Sequence, residues 1–317
     1  MHVLPATGGG NDAHHFCMAF RHRLDRHSSH YFSFRPKGQG GRISGHFVTR
    51  FAPSPTGYLH IGHVASALFA RQMAGPAGRY FVRVEDIDTT RCRAEFTASL
   101  FEDLTWLGLS SDAPPLYQSR NMPRYQAALR NLKSRHLIYP CTCTRQEVAQ
   151  RACRRDPDGS PIYDGHCRLR GGNPNRPPLW RLDMARALDV IGHIPGWQEV
   201  EEGYVPGAAT SYGDVVLARR DHGVSYHLCV TCDDADQNVT CVTRGADLRA
   251  ATSVHRVLQQ LLSFPEPVYA HHPLAFDEMG RKLSKSTHAP AIRDMRRNGV
   301  RAADIIKMGE AVLHSTG

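Results

Sequence analysis

The run Arg50-Phe51-Ala52-Pro53-Ser54-Pro55-Thr56-Gly57-Tyr58-Leu59-His60-Ile61-Gly62-His63 constrains this chain more than any other stretch. Phe47–Phe51 alternates like a short strand, the Pro/Gly-rich residues after it read as a turn, and Ile61 to Met73 suits a helix. A strand passing through a tight turn into a helix aims backbone N–H groups and the positive helix end at one spot. That arrangement favours an anion such as phosphate. His60 and His63 on the first turn add donors, and glycine at 62 lets a bulky ligand lie against the backbone. A lone His-x-x-His is commonly a surface pair, whereas the whole string is far more specific.

The flanking pattern extends this start. Arg79–Glu85 has strand character and ends in the acidic run Glu85-Asp86-Ile87-Asp88. Phe96, Leu100, Leu104 and Leu107 recur at helical spacing, as do Tyr125, Ala128, Leu129 and Leu132 with Pro123 in a first turn. Strand, helix, strand, helix is the alternation of a parallel α/β domain. From Cys141 to Gly213 the periodicity is poor and Pro and Gly crowd Asp156–Pro178, which suits a small inserted module not held by a large core. Patterning returns at Val215–Ala218, Ser225–Val230 and Val239–Val242, followed by an amphipathic helix with Val254, Val257, Leu258, Leu261 and Leu262 on one stripe. The expected plan is a disordered extension (1–46), a first half of the sheet domain (47–140), an insertion (141–213), the second half (214–291) and a short tail (292–317).

Charge is permissive rather than decisive. There are 39 Lys and Arg against 30 Asp and Glu, a net charge of +9, and residues 1–46 supply six of those cations and two of the acids. The weakly basic remainder fits an RNA-handling enzyme and many others. No stretch approaches the roughly 18 apolar residues of a membrane helix, and charged and His residues interrupt any export signal in Met1–His30. A cytoplasmic protein with reduced thiols is therefore expected, some of its nine cysteines holding metal. Cys141-x-Cys143, 19 residues, then Tyr163-x-x-x-Cys167 has the look of a metal site, with Cys153 or His166 as competing ligands. Cys229-Val230-Thr231-Cys232 has redox spacing, but its apolar setting suggests packing thiols.

Gly280-Arg281-Lys282-Leu283-Ser284-Lys285-Ser286 describes a loop whose two lysines could close over phosphates. With the histidine string, it resembles the HIGH and KMSKS signatures of class I aminoacyl-tRNA synthetases, the first matched literally at residues 60–63 and the second with Leu for Met at 283. The resemblance reaches the glutamyl branch through Phe51–Gly62, Glu85–Asp88, Tyr226-His227-Leu228 with Asp233-Asp234, and Arg244. It implies an α/β fold: a Rossmann-type parallel sheet domain carrying an inserted zinc-binding subdomain. Carried over position by position, glutamate is held by Arg50, Phe51, Ala52, Pro53, Ser54, Glu85, Tyr226 and Arg244. ATP is held by His60, Gly62, His63 and Lys285, with His60, His63, Lys282 and Lys285 as the catalytic set. The chemistry agrees: a side-chain carboxylate wants an arginine fork, and an ammonium wants a carboxylate such as Glu85.

Only 31 residues follow Ser286, fewer than the about 50 of a small domain, so no anticodon-binding domain is expected. The Cys-Thr-Cys…Tyr-Asp-Gly-His-Cys string and Thr287-His288-Ala289-Pro290-Ala291 are similar to the truncated glutamyl-queuosine tRNA(Asp) synthetase family. That likeness implies a structural Zn²⁺ on Cys141, Cys143, Tyr163 and Cys167, Mg²⁺ with ATP, and activation of glutamate without tRNA. It further implies transfer to queuosine at the wobble position of tRNA(Asp); a monomer is expected, and the lack of a long apolar run leaves no membrane partner expected. Two other readings compete: a glutamyl-tRNA synthetase-like enzyme charging the tRNA 3′ end, and a non-catalytic paralogue that binds RNA. The intact His60, His63, Lys282 and Lys285 speak against the paralogue.

Overall fold

The computed structural model describes residues 46–220, 223–276 and 290–314. The expected N-terminal extension and the loop with Lys282 and Lys285 therefore lie outside the described residues, the extension except for His46. The first strand, β1 (Val48–Phe51), is buried at Thr49, Arg50 and Phe51 alike, as befits a parallel strand covered on both faces. It feeds α1 (Ile61–Ala74), and β2 (Arg79–Val84) returns parallel to β1 with Val48 opposite Arg79 and Phe51 opposite Val82. Next come α2 (Ala94–Trp106), the short β3 (Leu116–Tyr117) parallel to β2, and α3 (Met122–Ser134) with Pro123 in its first turn. The expected alternation is present.

Beyond it lie β4 (Ile138–Cys141), α4 (Arg145–Arg151), α5 (His166–Arg170), β5 (Leu179–Leu182), α6 (Met184–Ile191), β6 (Trp197–Glu199), β7 (Gly203–Val205) and β8 (Val216–Ala218). Strands β4, β5 and β8 form an antiparallel sheet. The second half of the parallel layer follows: α7 (Tyr226–Asp236), β9 (Cys241–Gly245), α8 (Thr252–Leu262) and β10 (Val268–His272). Strands β9 and β6 flank β10 in parallel, and β7 closes the edge antiparallel to β6. This sheet meets β1 edge to edge: Thr240 N–H donates to the Val48 carbonyl at 3.0 Å, and Val48 N–H donates to Thr240 Oγ1 at 2.9 Å.

One detail differs from expectation and two add to it. The stretch 141–213 is not one closed module. Strands β6 and β7 belong to the sheet of β9 and β10, and Met184 and Ala187 of α6 join the core that also contains Val254 and Leu258 of α8. A three-residue strand pairing some 70 residues downstream leaves no periodic trace. A separate small cluster of Cys141, Cys143, Val148, Tyr163 and Cys167 marks the part that does stand apart. Second, the Ser225–Val230 pattern is the start of α7, whose residues Leu228 to Asp234 are all buried, so no amphipathic period appears. Third, the tail folds into α9 (Ile292–Arg297) and α10 (Ala302–His314). The latter packs on α1 so closely that a Cβ at Gly309 would lie 2.8 Å from Leu68 Cδ1.

Candidate active site

A cavity of about 720 Å³ opens at the C-terminal ends of β1, β2, β9 and β10, the usual ligand position of an open parallel sheet. Its size suits a nucleotide with an amino acid. The end of β1 brings Arg50, Phe51, Ala52, Pro53 and Ser54 to its wall; Glu85 follows β2, Arg244 ends β9, and Tyr226 opens α7. His60, Gly62 and His63 enter from the start of α1. Every site residue expected from the sequence for glutamate, and every described one expected for ATP, thus meets in one cavity.

The two histidines explain how that helix begins. His60 is extended (φ −127°, ψ 174°), and its Nδ1 accepts the Gly62 N–H at 3.2 Å. His63 Nδ1 in turn accepts the His60 N–H at 3.1 Å. This reciprocal cap satisfies helix donors otherwise left without partners. Because each Nδ1 accepts, a neutral ring carries its proton on Nε2. A Cβ at Gly62 would sit 3.1 Å from His60 Cε1, so glycine there makes room for the capping ring.

Behind the cavity lies a buried charge network. Arg50 directs Nε and Nη2 to the two Asp234 oxygens at 2.8 and 3.4 Å and Nη1 to the Thr243 carbonyl at 2.7 Å. Its carboxylate fork is therefore engaged on the protein. Arg83, fully buried, donates to Asp234 Oδ1 at 2.8 Å and to Gln237 Oε1 at 3.0 Å. Asp233, equally buried, accepts from Tyr125 Oη, Gln118 Nε2 and Asn121 Nδ2 at 2.7–2.9 Å. Burial pushes the Asp234 carboxyl up, but Arg50 and Arg83 together hold it below its ordinary range. Glu85 lies 3.8 Å from Arg83 Nε, and burial outweighs Arg83 and Arg50 to lift its pKa to about 7.

Arg244 differs from Arg50. Its Nε donates to His271 Nε2 at 3.1 Å, Nη1 to His255 Nδ1 at 2.9 Å, and Nη2 to the Thr252 hydroxyl. None of these partners is a carboxylate. Burial first, then the charges of Glu85, Arg244 and Arg50, act on the Tyr226 phenol and leave its pKa raised. No local motif signals Arg91 and Asp247 on the cavity wall, and the sequence analysis does not single out His272 there or His255 and His271 behind Arg244. Only the adjacent Ala270-His271-His272-Pro273 ahead of the lysine loop could have signalled the last group. That loop itself is outside the described residues, but its flanks are at the site: Ala275 lines the cavity, and Ile292 N–H donates to the Leu59 carbonyl at 2.8 Å.

The thiols of Cys141, Cys143 and Cys167 all lie within 4.8 Å of one another and are buried, a group able to bind a metal. Cys143 and Cys167 Sγ are 3.4 Å apart, and Tyr163 Oη is 3.5 Å from Cys143 Sγ. Cys153 is exposed and its thiol turns to the Arg151 carbonyl at 3.7 Å. Neither it nor His166 joins the thiol group. Cys229 and Cys232 are buried in the core, where burial pushes the Cys232 thiol up to about 12; they are packing thiols.

Comparison with known proteins fits this geometry. The family model for tRNA synthetases class I (E and Q), catalytic domain, matches residues 46–308. The glutamyl-Q tRNA(Asp) synthetase of Rhodobacter capsulatus is 44% identical over 278 residues, covering 82% of this chain and 99% of the relative. The chain belongs to the glutamyl-Q tRNA(Asp) synthetase family. The protein of that name from Janthinobacterium sp. is 38% identical over 252 residues, 78% of this chain and 84% of its own length. Among solved structures, a glutamate tRNA ligase from Elizabethkingia meningosepticum in complex with its amino acid is similar at a TM-score of 0.62 and 25% identity. That match covers 80% of this chain and 53% of the ligase, so the chain spans about half of it. Among the described residues no helix is long and apolar enough to cross a membrane.

Proposed function

We propose that this cavity activates glutamate with ATP, without tRNA, and that the glutamyl group then passes to queuosine of tRNA(Asp). The observation that carries the reading is the convergence of a buried carboxyl group (Glu85), an arginine with neutral partners (Arg244) and a helix end bearing two imidazoles in one cavity. The α-carboxylate of glutamate attacks the α-phosphorus of ATP; the new O–P bond forms as the bond to pyrophosphate breaks. That nucleophile is already ionised at neutral pH, so no general base is needed. Placement and charge stabilisation at phosphorus do the work. His60 and His63 supply Nε2–H donors at the α1 terminus, Lys282 and Lys285 would add positive charge for the phosphates, and Mg²⁺ bound with ATP would neutralise the departing pyrophosphate. In the second step a queuosine hydroxyl attacks the acyl carbonyl and AMP leaves.

Glutamate-dependent ATP–pyrophosphate exchange in the absence of RNA tests the first step. Exchange is expected with glutamate alone; exchange that needs tRNA, or none, contradicts the reading.

A pH dependence follows from Glu85. With its pKa raised by burial to about 7, the carboxyl must lose its proton to receive the α-ammonium. Glutamate affinity is therefore expected to plateau above that pH and to fall by up to about tenfold per pH unit below it. Glu85→Gln should bind more weakly and flatten the profile. Calorimetric titration across this range decides it, and a flat wild-type profile removes Glu85 from the ammonium site.

The three thiols also suit zinc, with Tyr163 as fourth ligand. The metal would staple a segment whose own core is small, and its charge would favour the ionised phenol. Purified protein is expected to hold a single zinc ion per chain. Cys167→Ser should lose it and open the segment around residues 144–176 to proteolysis, whereas a zinc-free, protease-resistant wild type would contradict the assignment.

A further inference from the structure

The residues behind Arg244 form a chain whose proton positions can be read from chemistry. Strands β9 and β10 are paired so that Arg244 lies opposite His271, and β10 pairs with β6 through Tyr269 and Glu199. Glu199 is 2% exposed. Its Oε1 accepts the His271 backbone N–H at 2.9 Å; its Oε2 accepts the Trp197 indole N–H at 3.1 Å and faces His271 Nδ1 at 2.8 Å. A carboxylate only accepts, so Nδ1 carries the proton and the neutral ring offers its Nε2 lone pair to Arg244 Nε–H. On the other side His255 Nδ1 accepts from Arg244, which puts the His255 proton on Nε2, facing His227 Nδ1 at 3.1 Å. Burial and the Arg244 charge keep both of these rings neutral, the His227 pKa falling to about 4.

We infer that Glu199 and His271 are positioning residues that hold the Arg244 guanidinium through a neutral acceptor, leaving its charge for the side-chain carboxylate of the substrate and so selecting an acid over its amide. The inference rests on the assignment of Arg244 to that carboxylate. Arg50, with its fork on Asp234, is already neutralised. Arg244 is oriented on both sides, yet its described partners return no negative charge. The one carboxylate of the relay stands a ring away. A carboxylate ligand gains a charge-assisted pair that an amide cannot match.

Glu199→Gln tests the relay because an amide cannot accept from all three donors. One of its groups must oppose a donor, or the His271 ring must switch its proton to Nε2 and confront Arg244. The glutamate KM in pyrophosphate exchange is expected to rise roughly tenfold, with the ATP KM within about twofold. The preference for glutamate over glutamine should fall by a similar factor, and Glu199→Asp, still an acceptor, should recover part of it. Independently of that variant's folding, proton–nitrogen correlation spectra of wild-type protein labelled at histidine, with His271 assigned from His271→Gln, should show the neutral Nδ1–H form near neutral pH. An Nε2–H or doubly protonated His271, or an unchanged glutamate KM in Glu199→Gln, overturns the relay. Wild-type protein without glutamate-dependent exchange would instead overturn the proposed function, while the spectra still judge the relay.

Discussion

Arg244→Gln is expected to weaken glutamate by about 2–5 kcal/mol, roughly 30-fold to a few thousand-fold, while ATP affinity changes little. The size follows from burial. Arg244 is 7% exposed, fixed by His271, His255 and Thr252, and faces the cavity with a charge that no described carboxylate contacts. Glutamine keeps some hydrogen bonding but removes the charge. Initial rates of pyrophosphate exchange at varied glutamate measure the effect. An equal loss for ATP, or none for glutamate, would mean that another cation receives the substrate. Arg50→Gln should behave differently. Its guanidinium is bound to Asp234 and the Thr243 carbonyl, so its loss should appear first in stability.

The largest loss of stability is expected from Asp233→Ala. That side chain accepts four hydrogen-bond contacts from Tyr125, Gln118 and Asn121 and lies 3.9 Å from Arg83 Nε, both residues being fully buried. Truncation leaves donors unsatisfied and removes a counter-charge from Arg83, two of whose nitrogens already lack a hydrogen-bond partner. Removing one member of such a buried network costs about 3–5 kcal/mol, which lowers the unfolding midpoint by on the order of 10 °C in a chain of this size. Asp233→Asn, which keeps the shape and one acceptor, should cost less. Urea unfolding compares them, and a loss below about 1 kcal/mol for the alanine variant would show that water or rearrangement supplies the missing partners.

The site was more legible in the sequence than the scaffold that holds it. Arg50 to His63 is contiguous, so the strand end, turn and capped helix could be read from neighbours. Glu85 and Arg244 are placed by the resemblance to the glutamyl branch, and each follows or ends a strand that opens on the cavity. The engagement of Arg50 by Asp234 could not be read, since the partners are 184 residues apart. The relay from Glu199 to Arg244 likewise depends on strand register between β6, β10 and β9, which no local pattern records. α7 escaped because a helix buried on every side has no polar face, and β6 and β7 because three-residue strands are too short to show alternation. Spacing alone leaves Cys153 and His166 as competitors at the thiol group; the family resemblance points to Cys167, and the fold brings that thiol together with Cys141 and Cys143.

The central claim concerns where the glutamyl group ends. Wild-type protein, ATP and labelled glutamate should be incubated with tRNA(Asp) that contains or lacks queuosine, and the RNA digested with nuclease and weighed by mass spectrometry. The label is expected on the queuosine nucleoside of the first RNA and on no nucleoside of the second. Equal labelling of both RNAs, or label confined to the 3′-terminal adenosine, would contradict it.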